Sequence, residues 1–568
     1  MRIIKILRSV LVDIPRWGLL GLLVFAPWAY GSTRPWGKLF LTASLLVLLG
    51  FFLLSLVAKP RLPRFNVVSA ILTGLLLLQG WIMVLNPKQK FEPAIFAYAL
   101  KEPLPDIALG PSEGLPRLAK PAVVTNLPGA IPWLPGVVDQ PTAESQLLLV
   151  TGLIGAFWVA GDLAAGARWR TRTWWAISLT GISLVGLGLA QRLTGARAIF
   201  WDSFADTGST FFATYRYHAN AGAFLNLVLP LIAARTVLAF VRRYSNAGIT
   251  FWSIATLTTA ACAFINVSKA AMVITAFILL AQSYQQLNQA EFRYWSKTKL
   301  TAIGVVFVVM FLGLIWAFGF GDSMERWIEL TSSGTASSRL LVDETIVRYA
   351  LSASGWWGFG PGTFQITFPF FNHWLGDRVA GIWQNAHEDY LQGLMEWGYI
   401  GGAVWAALLF GGVWIAIVRH LKQQGSWDSE LRLLSSACIL SMCGLLLHAI
   451  VDFPLQIPSL QLYAAVILGF LWNLPDSLGR RKRISKGRAL QETMHAKPQV
   501  AHQQILSRML RRVILYDWRR LDSALSFTMG WSGRSNNLVL GLCCHAHRGE
   551  KRCRESSGSR KALHCGGT

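Results

Sequence analysis

His387, Glu388 and Asp389 stand together in QNAHEDYLQGLMEWGYIGG, residues 384 to 402, with Glu396 two helical turns on and a long apolar run just beyond. A histidine among carboxylates can take a proton from a hydroxyl, provided that something holds its ring. The order Asn385, Ala386, His387, Glu388 predicts a helix start, with Asn385 as N-cap and Glu388 reaching back from the third helical position. His387 would then lie in the first turn, beside N–H groups that have no partner and suit phosphate oxygens. The plainer reading is that His387 satisfies an interfacial hydrogen bond while Trp383 and Trp397 anchor at lipid headgroups.

Other polar residues stand at the edges of apolar runs, where an unpaired charge is costly. Arg216, His218 and Asn220 sit in RYHAN, directly before such a run, and Lys269 lies in the short SKAA turn between two more. Arg339 opens an apolar-periodic helix in SSRLLVDETIVRYA. Its guanidinium fork suits a diphosphate, although a surface arginine is common. Asp452 follows His448 in HAIVDFPLQIP and reads as a helix cap or half of an internal salt bridge. Gly358, Gly360 and Gly362 read as a tight turn, because no strand–helix unit surrounds them as a nucleotide loop requires. No carboxylate pair is spaced as in a glycosidase and no Asp-rich motif offers a metal site.

The elements that must carry these residues are membrane helices. The chain has 568 residues, 53% of them apolar and only 14% charged, where a soluble chain carries about a quarter charged. Mean hydropathy is +0.42. Apolar runs near the length that crosses a bilayer recur without the alternation of barrel strands. The expected fold is an all-α polytopic membrane protein of about 12 transmembrane helices. The spans fall at 17–31, 38–58, 66–86, 145–165, 174–190, 219–240, 249–267, 270–285, 300–320, 399–418, 432–450 and 459–474.

With that threading the basic segments 1–8, 59–65, 168–173, 241–244, 293–299, 419–422 and 480–483 all share one side. The positive-inside rule makes it cytoplasmic, with both termini there, and the inner (cytoplasmic) membrane is the expected location. The other side receives a Pro-rich loop (87–144), expected to be a poorly regular cover or a disordered strap, and the Trp-rich loop 321–398 before span 10, expected to be ordered and to hold the chemistry. Three regions follow: 1–144 with spans 1 to 3, a membrane domain 145–474, and a basic tail 475–568 without expected structure. The tail carries 19 Lys/Arg against 6 Asp/Glu; together with basic loops this reports orientation, so no nucleic-acid partner is expected. Cys262, Cys438 and Cys443 lie in spans. The tail's Cys543, Cys544, His545, His547, Cys553, His564 and Cys565 match no standard zinc spacing.

NAHEDYLQGLMEWGYIGG resembles the signature of the O-antigen ligase/polymerase superfamily, His-Asn-x-Tyr-Leu-Gln followed by Glu-x-Gly and a glycine-opened span. RYHANAGAFLNLVLPL, SKAA, SRLLVDETIVRYA with GWWGFGPGTF, and HAIVDFPLQIPSLQLYAAVILG are similar to its other elements, in order, over residues 140–474. Glu388 stands where the family has Asn, and Lys269 where it has Arg. The resemblance implies a metal-independent, cofactor-free glycosyltransferase at the outer membrane face. Its donor would be a polyprenyl-diphosphate-linked glycan and its acceptor a hydroxyl on a glycan or lipid-glycan. His387 and Arg339 would be catalytic, as base and diphosphate clamp. Arg216, His218, Asn220, Lys269 and Glu388 would bind substrate, and Trp356, Trp357 and Trp383 could stack on sugars. Ligase and polymerase share these motifs. Partners would be membrane lipids and other members of a polysaccharide-synthesis complex. The competing class is a lipid-linked glycan flippase or transporter without chemistry, which calls for charges lining a path deep in the spans.

Overall fold

The computed structural model describes residues 2–58, 66–91, 124–202, 211–287, 296, 298, 301–302, 304–317, 335–372 and 383–475. Met1–Lys482 belongs to one compact unit, and Arg483–Thr568, with the cysteines and histidines of the tail, lies outside the described residues. Trp327, Trp374 and the basic segments 59–65 and 480–483 also lie outside them.

In hydrocarbon a backbone must satisfy its own N–H and C=O groups, so the apolar runs become helices. These are α1 (Arg2–Trp28), α2 (Pro35–Ala58), α3 (Val67–Leu85), α4 (Gln140–Ala164), α5 (Ala167–Leu193), α6 (His218–Val241), α7 (Asn246–Ile265), α8 (Lys269–Leu287) and α9 (Gly304–Ala317). Then come α10 (Thr335–Thr345, continued by a π-helical turn Ile346–Ala350), α11 (Asp389–Gln423), α12 (Ser429–His448) and α13 (Pro458–Trp472). Among the described residues nine helices are long and apolar enough to cross a membrane, and α9 and α13 are shorter apolar ones. Eleven of the twelve predicted spans overlap one of these helices, and the span 270–285 overlaps α8, which is helical but is not among the helices apolar enough to cross a membrane. Among the described residues the fold is all-α apart from one small antiparallel ribbon, β1 (Gln89–Phe91) with β2 (Val124–Asn126).

The ribbon revises the expectation for loop 87–144, whose described ends are ordered. Asn86 donates to the carbonyls of Ile131 and Pro135, and the Val138 N–H donates to the Phe359 carbonyl at 3.0 Å. The first three helices also join the main bundle: the Tyr463 hydroxyl of α13 donates to the Leu23 carbonyl at 2.8 Å.

α4, α6, α12 and the short α13 are the most enclosed of these helices, whereas α2 shows Leu39, Phe40, Val47, Leu54 and Val57 outward. Helices approach closely where side chains are small. A Cβ on Gly469 of α13 would stand 2.5 Å from the Phe157 carbonyl oxygen of α4.

The two ends of the bundle differ in chemistry. At one end Arg16 pairs with Asp162 at 3.4 Å and Arg242 with Glu430 at 2.7 Å, and Arg419 donates to the carbonyls of Trp472 and Leu474. Segments 168–173, 241–244 and 419–422 thus gather there. The turns bearing Tyr217, Ser268, Phe359, His387 and Asp452 gather at the other end. There the Asn266 amide donates to the His218 carbonyl at 2.7 Å, and the Asp389 N–H to the Ala449 carbonyl at 2.9 Å.

α11 is broken at Gly398 (φ +67°), which frees backbone groups on both sides of the kink. The glycine turn of 355–362 takes them up. Phe359 and Gly360 donate to the Met395 and Glu396 carbonyls at 3.1 and 2.9 Å, while Tyr399 and Ile400 donate to the Gly355 and Trp356 carbonyls. The Glu396 carboxylate accepts from the Gly362 N–H at 2.9 Å and from the Gln392 amide at 3.0 Å. These glycines are therefore a packing device, as the sequence indicates. Gly358 has φ +82°, and a Cβ there would stand 2.3 Å from the Glu396 carbonyl oxygen. Gly358→Ala is expected to destabilise the protein by about 2–4 kcal/mol from backbone strain and overpacking. The thermal midpoint in detergent reads this, and an unchanged midpoint would remove the interlock as a support of α11.

Candidate functional site

Two turns meet over a small core of Val342, Ile346, Phe364, Phe368, Ala386 and Met395 at the non-basic end of the bundle. The first, 385–388, leads into α11. The Ala386 N–H donates to the Gln392 side-chain oxygen at 3.1 Å, and the Gln392 amide reaches back to Asn385 at 3.4 Å. The second turn, 449–457, joins α12 to α13. The Asp389 carboxylate stitches the two together, accepting from the Leu455 N–H at 2.7 Å and from the Gln456 amide at 3.0 Å.

The expected cap is corrected by this geometry. α11 begins at Asp389, and Glu388 is itself the capping side chain, accepting from the Tyr390 and Leu391 N–H groups. His387 lies before the helix in the left-handed region at φ +62°. Asn385 is held by Gln392 and does not cap. Burial pushes the Glu388 carboxyl above its ordinary range, and the two capping N–H groups oppose that rise.

Asp452 is the centre of the arrangement. It is 4% exposed. Its Oδ1 lies 3.2 Å from His387 Nδ1, and its Oδ2 accepts from the Tyr217 hydroxyl at 3.1 Å. Arg339 donates from Nη2 to the Tyr217 hydroxyl and from Nη1 to the Val451 carbonyl, both at 3.2 Å. Phe453 stacks on Tyr217 at 5.5 Å and receives the edge of His387 at 4.8 Å, while Trp383 meets His387 edge-on at 5.6 Å.

Burial alone would push the Asp452 carboxyl up. The hydrogen bond and charge of His387, with His448 and Arg339, outweigh it and hold the group below its ordinary range. Burial and the nearby Asp452 raise the Tyr217 phenol, which stays protonated and donates. With Nδ1 facing a carboxylate, the tautomer that fits is Nδ1–H, which leaves Nε2 as acceptor. Nε2 has no partner among the described residues, and the His387 side chain is 23% exposed. The site thus holds a proton acceptor oriented by a buried carboxylate, with a guanidinium beside it.

The predicted site residues divide. His387, Arg339 and Glu388 come together. His218 heads α6 with its ring 4.7 Å from that of Tyr217. Asn220 is buried in the next part of that turn, Arg216 is exposed, and Lys269 is half-buried at the start of α8. Among the described residues no side-chain hydrogen bond or ion pair joins Arg216, Asn220 or Lys269 to the His387 cluster. Trp356 is exposed and meets Tyr399 edge-on, away from His387.

Sequence reasoning took Asp452 for structure and passed over Tyr217 and Asp343. Asp343 lies one turn beyond Arg339 on α10, and its Oδ1 is buried with no partner among the described residues. Burial raises its carboxyl, with Arg339 and His387 opposing. The four-residue step from Arg339 was the available signal. Among the described residues no three His, Cys, Asp or Glu side chains are grouped as a metal site.

Beside the site, a cavity of about 290 Å³ runs between α3, α4, α11 and α13. Asp389, Glu396, Gln146 and Gln456 stand among its polar lining, and Val150, Leu153, Phe157 and Leu468 among its apolar walls. No protein-family model matches the chain, and no curated protein matches it.

Proposed function

We propose that this protein is a membrane glycosyltransferase that moves a glycan from a polyprenyl diphosphate to a hydroxyl of a glycan or lipid-glycan acceptor. The observation that carries the reading is the His387–Asp452 pair, with Tyr217 bound to the same carboxylate and Arg339 bound to Tyr217, at the end of the bundle away from the basic segments. In this reading the chain crosses the inner membrane twelve times with both termini cytoplasmic, so the site faces outward. The resemblance of five motifs, in order, to those of O-antigen ligases and polymerases supports the same choice.

The acceptor oxygen attacks the anomeric carbon of the donor and its proton passes to His387 Nε2. The bond from that carbon to the diphosphate oxygen breaks and the diphosphate leaves with the electron pair, inverting the centre. Asp452 stays ionised and steadies the imidazolium. Arg339 has five N–H donors, of which two are used within the protein; the rest meet the charge growing on the diphosphate. The apolar part of the neighbouring cavity suits hydrocarbon close to the donor's head.

The test is transfer of a lipid-linked glycan in membranes. Arg339→Ala is expected to lower the rate about 10²-fold, and Arg339→Lys to recover only part of it, because an ammonium lacks the fork. Unchanged transfer in Arg339→Ala removes the clamp. If the wild type moves the donor across the bilayer and never joins it to an acceptor, the protein is a flippase.

A further inference from the structure

At the basic end, α1 and α5 lie side by side and hold an arginine between two indoles. The Arg172 guanidinium carbon is 4.7 Å from the ring of Trp17 and 4.7 Å from that of Trp169, and the two rings meet edge-on at 5.3 Å. Arg16 also lies over Trp169 but is neutralised by Asp13 and Asp162, at 3.2 and 3.4 Å. Arg172 has no hydrogen-bond acceptor or carboxylate partner among the described residues. Nor has Arg168, one turn earlier and exposed.

Aromatic rings engage the faces of a guanidinium and leave its N–H edge free. A surface arginine ordinarily extends into water and stays mobile. Here two indoles, nearly perpendicular to each other, pack against one guanidinium and restrict it, while its donors have no acceptor among the described residues. Their matching ligand is a phosphate, which accepts the fork in two parallel hydrogen bonds. Arg168 and Arg172 add two uncompensated positive charges, which favours a headgroup with net negative charge.

The surface next to the clamp identifies the rest of the ligand. Trp17 is 53% exposed. Two turns along α1 from Trp17, and two turns along α5 from Arg172, Val24 and Leu179 are exposed apolar side chains on the same faces. Further along, the Trp28 indole donates to Ser183 at 3.1 Å, so the two helices stay paired down the seam. We propose that Trp17, Arg168, Trp169 and Arg172 bind the phosphate of an anionic membrane lipid, whose acyl chain follows the α1–α5 seam past Val24 and Leu179. Lipid-headgroup sites of this chemistry form where basic side chains meet between spans.

The test is native mass spectrometry of the delipidated full chain with phosphatidylglycerol, phosphatidylcholine or inorganic phosphate as probe. The wild type is expected to retain one phosphatidylglycerol in preference to phosphatidylcholine. Arg172→Ala should weaken that adduct by about tenfold or more, and the double change with Arg168→Ala should abolish it. Lys422→Ala, an exposed cation elsewhere at this end, should leave it unchanged. Should Arg172→Ala fail to fold, Arg172→Lys decides, because it keeps the charge without the fork and is expected to bind more weakly. Equal retention of phosphatidylglycerol by wild type and every folded Arg172 variant overturns the site. Equal retention of phosphatidylcholine overturns the anionic preference, and displacement by millimolar inorganic phosphate overturns a lipid as the occupant.

Discussion

His387→Asn is expected to lower glycan transfer by about 10²–10⁴-fold while the protein still inserts and folds. Asparagine is the better replacement here because His387 sits at φ +62°, a region that asparagine tolerates and alanine does not. His387→Ala would add backbone strain to the loss of the base, and a damaged turn could then pass for a lost proton acceptor. The histidine acts on the acceptor hydroxyl and not on the diphosphate, so KM for the lipid donor should change little while kcat falls. A split of that kind separates a base from a residue that merely shapes the pocket. Retention of a third or more of the wild-type rate, with Trp383 and Phe453 still packed around the replaced ring, would sink the assignment and return His387 to the headgroup interface.

The membrane architecture was readable because it rests on a local signal: apolar runs of bilayer length form helices wherever they occur. Arg339 and His387 were singled out on local grounds too, His387 as a polar residue beside such a run and Arg339 for its fork at the head of an apolar-periodic helix. The hub was not. Asp452 lies 65 positions from His387, and the step that joins them is the tie of Asp389 to the 449–457 turn, which no local pattern announces. Beside His448 in sequence, Asp452 looked like a cap. Its carboxylate instead meets the histidine of another turn. Tyr217 was hidden between two residues with louder chemistry, Arg216 and His218, although its hydroxyl is the group that links Arg339 to Asp452. The helix start failed for a different reason. Asn385 suits an N-cap and Glu388 the third helical position, but Gln392 occupies Asn385 and Glu388 caps instead. That choice moves His387 out of the helix and into the turn.

Asp452→Asn is expected to cost about 10³–10⁴-fold in transfer, close to the effect at His387, because the two act as one unit. The amide keeps the volume of the carboxylate, so Phe453 and Tyr217 stay packed. It cannot stabilise an imidazolium, and with its nitrogen toward His387 it selects the wrong tautomer. Tyr217→Phe, which removes one donor and leaves the charge, should lose only about tenfold. Stability supplies a readout independent of transfer. Burial alone would raise the folded Asp452 carboxyl, but the hydrogen bond and charge of His387, with His448 and Arg339, outweigh it and leave the group more acidic than in the unfolded chain, while Tyr217 and Asp389 also stand close by. The ion therefore contributes stability above the unfolded value of about 4, and that contribution disappears as pH falls through the lowered folded value. The thermal midpoint of Asp452→Asn should lie below that of the wild type at neutral pH and converge with it in acid. A gap that stays constant with pH would mean that Asp452 holds its neighbours by shape alone. The catalytic loss would then have to come from displaced side chains and not from a missing charge.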